Sequence, residues 1–167
     1  MIELRPVMDS DLLYLDTLHD DDEYAFFAVD HRPTEKQLQC QITESLLPTV
    51  DFRIVNDAST GEAVGWIRAD LDLYNGLAQL GYGFARAYWG QGYATAAVRA
   101  LVDALFGRND IHKVWARVDP RNDRSMRVLH RAGFRLEGTQ ESHLLRRGER
   151  VSRALFGLTR ARWSERT

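Results

Sequence analysis

The sequence has few of the features that mark secreted, membrane-spanning or nucleic-acid-binding proteins. Cys40 is the single cysteine, so no intramolecular disulfide can form, and its helical-looking surroundings predict a packed thiol. No apolar run approaches the roughly 20 residues that span a bilayer, and Met1 to Pro6 lacks the basic and apolar regions of a signal peptide. The net charge of −2 gives no broad attraction to nucleic acid or anionic membrane. We therefore expect a cytoplasmic protein with neither nucleic-acid nor membrane partners.

What the sequence does contain is typical of one globular domain. Its 167 residues, 44% apolar and 28% charged, suit a single hydrophobic core. Hydrophobic periods of 3.6 and 2 predict the element order β-α-α-β-β-β-α-β-α-β-β. We therefore predict an α/β fold with a mixed sheet, in which residues 1–167 form one domain. Three arginines, Arg146, Arg147 and Arg150, are expected to keep the last hairpin turn solvated.

The most informative segment is residues 81–95, where a strand runs into a glycine-spaced turn that opens directly into a helix. Such a junction presents unpaired backbone N–H groups and the positive end of the helix dipole, which commonly bind a phosphate. Gly90 and Gly92 allow close approach of the backbone. Two other interpretations stay open, a turn that only reverses the chain and a dinucleotide-binding fold. Against the second, Thr95 breaks the glycine fingerprint and Asp119 lies too far along the chain.

The run Tyr88-Trp89-Gly90-Gln91-Gly92-Tyr93-Ala94-Thr95 resembles the acyl-CoA-binding motif of the Gcn5-related N-acetyltransferase (GNAT) family. That motif is (Arg/Gln)-x-x-Gly-x-(Gly/Ala), and Gly92 and Ala94 occupy its last two defined places. Trp89 stands where the family often has Arg or Gln and is common there in the RimJ/RimL-like ribosomal-protein alanine acetyltransferase branch. Ala96 departs from that branch, which usually has glutamate. A second motif, Asn122-Asp123-Arg124-Ser125 followed by Gly133-Phe134, is similar to the branch pattern Asn-x-x-Ser and Gly-Phe.

The resemblance implies a GNAT-like single domain with acetyl-CoA as cosubstrate and no metal. The backbone near the end of the strand is expected to bind the acetyl and pantetheine groups, the glycine turn the pyrophosphate, and Asn122 the pantetheine arm. The expected cofactor-binding residues are Phe84, Ala85, Arg86, Gly90, Gln91, Gly92, Tyr93, Ala94, Thr95, Asn122 and Ser125. Ser125 is expected to face the sulfur and hydrogen-bond the developing thiolate, while an N–H near Phe84 or Ala85 polarises the carbonyl.

The base that helps to deprotonate the acceptor amine is not determined by the sequence. Tyr82 and Glu141 are the predicted catalytic partners of Ser125, and Asp70 and His143 are further candidates to hold a water. The leading acceptor is a protein N-terminal α-amine, whose pKa of about 7.7 to 8.0 demands only weak help.

Two alternatives to that acceptor and that activity stay open. The first is a small amine such as a polyamine, amino acid or antibiotic, and the second is a non-catalytic acyl-CoA-binding regulatory module. The acidic residues 20–23 border the predicted acceptor groove and are either a solvated loop or a contact for a basic peptide. The resemblance implies a monomer or homodimer.

Overall fold

The computed structural model describes residues 1–20, 33–146 and 148–165, and one seven-stranded mixed sheet forms its centre. The strand order is β1-β2-β3-β4-β5-β7-β6. The strands are β1 (Ile2–Pro6), β2 (Val50–Asp57), β3 (Ala63–Asp72), β4 (Leu77–Phe84), β5 (Lys113–Val118), β6 (Arg135–Arg146) and β7 (Glu149–Thr159). Neighbouring strands are antiparallel except for β4 and β5, which run parallel. The predicted α/β mixed-sheet fold is confirmed.

Helices of the described chain cover both faces of this sheet. They are α1 (Leu12–Thr17), α2 (Glu35–Glu44), α3 (Tyr93–Gly107), α4 (Asp123–Ala132) and α5 (Arg160–Ser164). Side-chain caps set where several of them begin: the Thr34 hydroxyl accepts from the Gln37 N–H at 3.3 Å, and the Asn122 side chain accepts from the Ser125 N–H at 3.0 Å. Gly133 ends α4 in the left-handed conformation, with φ 89°. No helix in the described ranges is long and apolar enough to cross a bilayer.

The parallel pair β4 and β5 separates along its length. The two strands are hydrogen-bonded only where Leu77–Gln79 faces Lys113–Trp115. Beyond that point β4 continues to Phe84 and β5 to Val118, but the two strands no longer pair with each other. A wedge therefore opens in the middle of the sheet, between strands whose backbone groups are free to contact a ligand.

Two hydrophobic clusters occupy opposite faces of the sheet. The larger cluster packs α3 and α4 against the alternate residues of the central strands, including Leu80 of β4 and Ala116 of β5. The smaller cluster packs α1 and α2 against β2 through Leu15, Leu38 and Phe52. Because successive strand residues point to opposite faces, one residue step along β4 or β5 moves a side chain from the α3/α4 face to the α1/α2 face.

Four local expectations differ from the structure or lie beyond it. Helix α5 was not predicted because it is short and polar, and the Thr159 side chain caps its first turn. Cys40 is exposed rather than packed. Arg146 is buried, with 2% of its surface accessible, so it does not keep the last turn solvated as predicted. Of the acidic segment 20–23, residues 21–23 lie outside the described ranges, as does residue 147.

Candidate functional site

A cavity of about 780 Å³ is lined by residues of β4 and β5, the two strands of the wedge, and by residues from both faces of the sheet. One mouth, called the glycine mouth, is lined by Tyr88, Trp89, Gly90, Gly92, Tyr93, Ala94, Thr95, Asn122, Arg124, Arg127 and Arg131. The other, called the second mouth, is lined by Leu15, His19, Pro33, Leu38, Gln41, Phe52, Trp66, Gln79, Arg117, His143, Leu144 and Arg153. Tyr82 and Ser125 also line the cavity. A ligand in this cavity would contact both faces of the sheet.

The glycine turn has the geometry of an anion-binding site. Gly90 and Gly92 have φ values of 77° and 91°, which L side chains rarely adopt, and space is open within 4 Å of the place where a Cβ would stand at either glycine. Gly92 caps α3 and has no side chain that could accept from the N–H groups of the first turn. These amides point along the helix axis, where the dipole also favours negative charge. The turn is therefore suited to a phosphate held by backbone donors.

Aromatic residues hold the glycine turn in place. The Trp89 indole N–H donates to the Phe84 carbonyl at 2.7 Å, which ties the turn to the end of β4. The rings of Tyr88 and Tyr93 pack edge to face with centroids 5.8 Å apart. The Tyr93 hydroxyl donates to the Asp57 carboxylate, and this hydrogen bond lowers the pKa of Asp57 together with a stronger one from Ser59. Trp89, the tryptophan of the sequence motif, therefore stabilises the position of the glycine turn against β4.

Ser125 and Tyr82 both line the cavity and contact each other. The Tyr82 hydroxyl lies 2.8 Å from the Ser125 Oγ and 3.2 Å from the Ser125 carbonyl oxygen. Burial raises the pKa of Tyr82 well above its ordinary value, and the Ser125 hydrogen bond offsets only part of this rise. Tyr82 is therefore a neutral hydroxyl at physiological pH, which suits it to hydrogen bonding and not to proton abstraction. The Asn122 side-chain oxygen caps α4, which leaves its NH₂ group for a ligand.

Asp119 anchors the loop that leads from β5 into α4. From the sequence, only its position at the end of a strand was predicted. Its carboxylate accepts from the Arg121 backbone N–H at 2.9 Å, from the Arg121 guanidinium at 2.7 Å and from Arg146 at 3.1 Å. The side chains of Asp119 and Arg146 are each 2% exposed. Burial pushes the Asp119 pKa upward, but the hydrogen bonds and charges of the two arginines outweigh it, and the pKa falls below its ordinary value. The pairing of residues so distant in sequence left no local signal.

A bulge in β6 determines which side chains reach the second mouth. Gln140 pairs with Arg153 and Leu144 with Val151, so residues 141–143 stand opposite a single residue of β7. Ser142 has a φ of 48° inside this bulge. Glu141, predicted to be catalytic, is exposed and does not line the cavity, whereas His143 does. The bulge breaks the alternation from which side-chain direction is inferred in a regular strand.

Residues 2–135 match the family model of the GNAT acetyltransferase domain. The chain belongs to the GNAT family. Among its relatives, an uncharacterized N-acetyltransferase p20 of Bacillus licheniformis is 29% identical over 106 residues, which are 63% of this chain and 60% of the relative. A ribosomal protein uS5-alanine N-acetyltransferase of Escherichia coli is 32% identical over 85 residues, 51% of this chain and 44% of the relative. The chain thus spans less than two thirds of the length of both curated relatives.

The GNAT assignment agrees with the fold of solved structures. Spermidine N-acetyltransferase of Vibrio cholerae, crystallised with CoA and spermine, superposes with a TM-score of 0.86 and covers 98% of each chain. The sequence identity is 16%, so this similarity concerns the fold alone.

The structure brings most of the predicted GNAT site residues to one cavity. Among the predicted cofactor-binding residues, those that line it are Phe84, Gly90, Gly92, Tyr93, Ala94, Thr95, Asn122 and Ser125. Ala85, Arg86 and Gln91 are not among the lining residues. The Ala85 N–H donates to the Val64 carbonyl at 3.0 Å, so it is not available to polarise a bound carbonyl as predicted. Asp70, a further candidate from the sequence, is paired with Arg68 at 2.7 Å.

Proposed function

We propose that the protein is an acetyl-CoA-dependent N-acetyltransferase, that residues 1–167 form a single N-acetyltransferase domain, and that the acceptor is a primary amine. The observation that carries this proposal is the cavity through the wedge, which has an anion-binding turn at the glycine mouth and a separate second mouth. Two substrates can therefore approach from opposite faces of the sheet and meet at Ser125. Membership of the GNAT family supports the same chemistry.

The residues at the glycine mouth fit acetyl-CoA. The open space beside Gly90 and Gly92 and the uncapped first turn of α3 suit the pyrophosphate. The unpaired edge of β4 up to Phe84 offers backbone groups to the pantetheine amides, and the Asn122 NH₂ group adds a donor. Arg124, Arg127 and Arg131 supply positive charge at the same mouth. The cosubstrate contributes the activated acetyl thioester.

Transfer joins the amine nitrogen to the acetyl carbon and breaks the bond from that carbon to sulfur, so the amine loses a proton and the thiolate gains one. We assign Ser125 as the hydroxyl that hydrogen-bonds the departing sulfur, because it lines the same cavity as Asn122 and the glycine turn. Tyr82 acts through Ser125, since its hydroxyl lies 2.8 Å from the Ser125 Oγ and stays protonated. His143 replaces Glu141 as the candidate for holding a water near the amine, because it lines the cavity.

The acceptor that fits this cavity best is a protein N-terminal α-amine. Such an amine has a pKa of about 7.7 to 8.0, so much of it is already free at neutral pH. The second mouth supplies no carboxylate from the described residues that could act as a strong base for a lysine-like amine. Trp89, the Asn122/Ser125 pair and the uS5-alanine N-acetyltransferase relative support the RimJ/RimL-like branch.

A small amine is the second candidate acceptor. The specific observation in its favour is the fold similarity to a spermidine N-acetyltransferase over 98% of the chain. A non-catalytic acyl-CoA-binding module is the third candidate, and the presence of Ser125 in the cavity argues against it. The cytoplasmic location and a monomeric or homodimeric state stay predictions.

A thiol-release assay tests the proposal. The protein is incubated with acetyl-CoA and a panel of N-terminal peptides, polyamines, amino acids and aminoglycosides, and free CoA is followed with a thiol reagent. We expect release with peptides that have a free α-amine, and none with the same peptides acetylated at the N-terminus. Tight CoA binding without release for any acceptor would remove the enzymatic function, and faster release with a small amine would remove the N-terminal acceptor.

A further inference from the structure

An arginine at the second mouth is held in place without an acidic partner. The Arg117 guanidinium carbon lies 5.3 Å from the Trp115 ring centroid, and one of its NH₂ groups donates to the Gln79 side chain at 3.3 Å. Several other arginines are paired with carboxylates, as Arg53 is with Asp51 at 2.6 Å. No carboxylate of the described chain pairs with Arg117, although its side chain is exposed and lines the cavity.

Strand alternation places this arginine on the α1/α2 face, away from the glycine turn. On β5, Ala116 and Val118 belong to the core on the α3/α4 face, so Arg117 between them points the other way. Gln79 alternates in the same manner between Ala78 and Leu80 of β4. Arg117 therefore lies in the region where the acceptor enters, and not in the region that suits the CoA phosphates.

Arg117 contributes a positive charge without a carboxylate partner to the second mouth, in the part of the chain that the structure describes. Arg117 and Arg153 both line it, and β5–β7 pairing puts them on the same face of the sheet. Among the described lining residues Asp119 is the single acidic one. Its charge is already neutralised by Arg121 and Arg146. A cationic group of the acceptor meets repulsion at Arg117, whereas a carboxylate on the acceptor finds a preoriented guanidinium fork there.

We infer that the acceptor is an N-terminal peptide with an aspartate or glutamate at its second or third position, and that Arg117 binds this carboxylate. This inference rests on the proposed acetyltransferase function. Gln79, which contacts Arg117, and Tyr82, which contacts Ser125, are three residues apart on β4, so their backbone positions are roughly 10 Å apart at 3.3 Å per residue and their side chains leave opposite faces. An extended peptide covers a similar distance from its amine to the side chain of its third residue. The α-carboxylate of a free amino acid lies too close to its amine to reach.

Matched peptides test this inference. Two peptide amides, Ala-Ser-Glu-Ala-Gly-Tyr and Ala-Ser-Gln-Ala-Gly-Tyr, differ only in the carboxylate, and free alanine and spermidine complete the set. Binding to the CoA-saturated protein is measured by titration calorimetry, and kcat/KM for each acceptor is measured by thiol release. The variants are Arg117→Gln, Arg117→Lys and Arg150→Gln, the last being an exposed arginine that does not line the cavity.

We expect the wild type to favour the Glu peptide about fivefold in both Kd and kcat/KM, which is the upper range for an exposed ion pair. The preference should vanish in Arg117→Gln, persist in part in Arg117→Lys and remain whole in Arg150→Gln. The preference for the Glu peptide should also weaken when the salt concentration is raised about tenfold, from about 0.05 M to about 0.5 M, because the Debye screening length becomes shorter. Equal affinity for the two peptides, no measurable binding of either, tighter binding of spermidine or alanine, or a preference that survives in Arg117→Gln would overturn the inference. Glu-selective binding without thiol release would instead refute the proposed function and leave the binding inference supported.

Discussion

The hydrogen bond between Tyr82 and Ser125 leads to a quantitative prediction. Tyr82→Phe removes a hydroxyl that lies 2.8 Å from the Ser125 Oγ and leaves the ring packed against the core. A hydrogen bond of this kind contributes about 1 kcal/mol net. If Tyr82 serves only to orient Ser125, its loss removes about 1 kcal/mol of stabilisation from the transition state. Because a tenfold change in rate corresponds to about 1.36 kcal/mol, kcat should fall about fivefold. The KM for acetyl-CoA should change little.

Ser125→Ala removes the hydroxyl that we propose as the donor to the thiolate, and we expect a loss in kcat on the order of 100-fold, comparable with losing one oxyanion donor. The double variant Tyr82→Phe/Ser125→Ala should be no slower than Ser125→Ala, because Tyr82 then has nothing left to orient. The apparent coupling in this double-mutant cycle is therefore about 1 kcal/mol. An ordinary tyrosine side chain has a pKa of about 10, and burial raises the pKa of Tyr82 above this value. The wild type should therefore lose no activity through deprotonation of Tyr82 up to about pH 10.

The assay is steady-state thiol release with saturating peptide, combined with calorimetry of CoA binding and urea unfolding of each variant. The unfolding curves separate a loss of folded protein from a loss of rate. The reasoning fails if Tyr82→Phe slows Ser125→Ala by a further fivefold, because Tyr82 would then act independently. An unchanged rate in Ser125→Ala would remove Ser125 from the mechanism.

Two further predictions concern the loop and the turn that shape the cavity. Asp119→Asn leaves the buried Arg146 guanidinium without its carboxylate, so we expect the free energy of unfolding at pH 7 to fall by about 3 kcal/mol in urea titrations. Because the folded pKa of Asp119 is lowered, its contribution is present above about pH 4 and is lost as the pH falls through the folded pKa; a gap to wild type that stayed constant into acid would contradict this. Gly92→Ala places a side chain at φ 91°, which should cost about 1 to 2 kcal/mol and weaken acetyl-CoA binding in calorimetry. Gly107→Ala, in a helical position with open space for a Cβ, is the matched control and should be neutral or slightly stabilising.

Much of the glycine mouth was predictable because its structure is local. The positive φ values of Gly90 and Gly92, the start of α3 and the cap of α4 at Asn122 all depend on residues within a few positions of one another. The same holds for the strand that was predicted to run into the glycine turn, which is β4 in the structure. Propensity and capping depend on residues close together in the sequence, so a sequence pattern can predict them.

The second mouth was less predictable because its residues come from strands far apart in sequence. Glu141 and His143 are two residues apart, and a regular strand would direct both to one face. The bulge over residues 141–143 removes that equivalence, and of the two His143 lines the cavity. A bulge of this kind depends on the register in which β6 pairs with β7. The sequence of β6 alone does not predict that register.

By itself the sequence determined the α/β order, the anion-binding turn and the motif that marks the GNAT family. Those properties follow from periodicity, glycine conformations and caps that neighbouring residues determine. Tertiary structure decided the wedge between β4 and β5, the contact of Tyr82 with Ser125 and the buried pair of Asp119 with Arg146. Each of these joins residues separated by many positions, and their energies depend on burial and on distances of about 3 Å that only the packed chain defines.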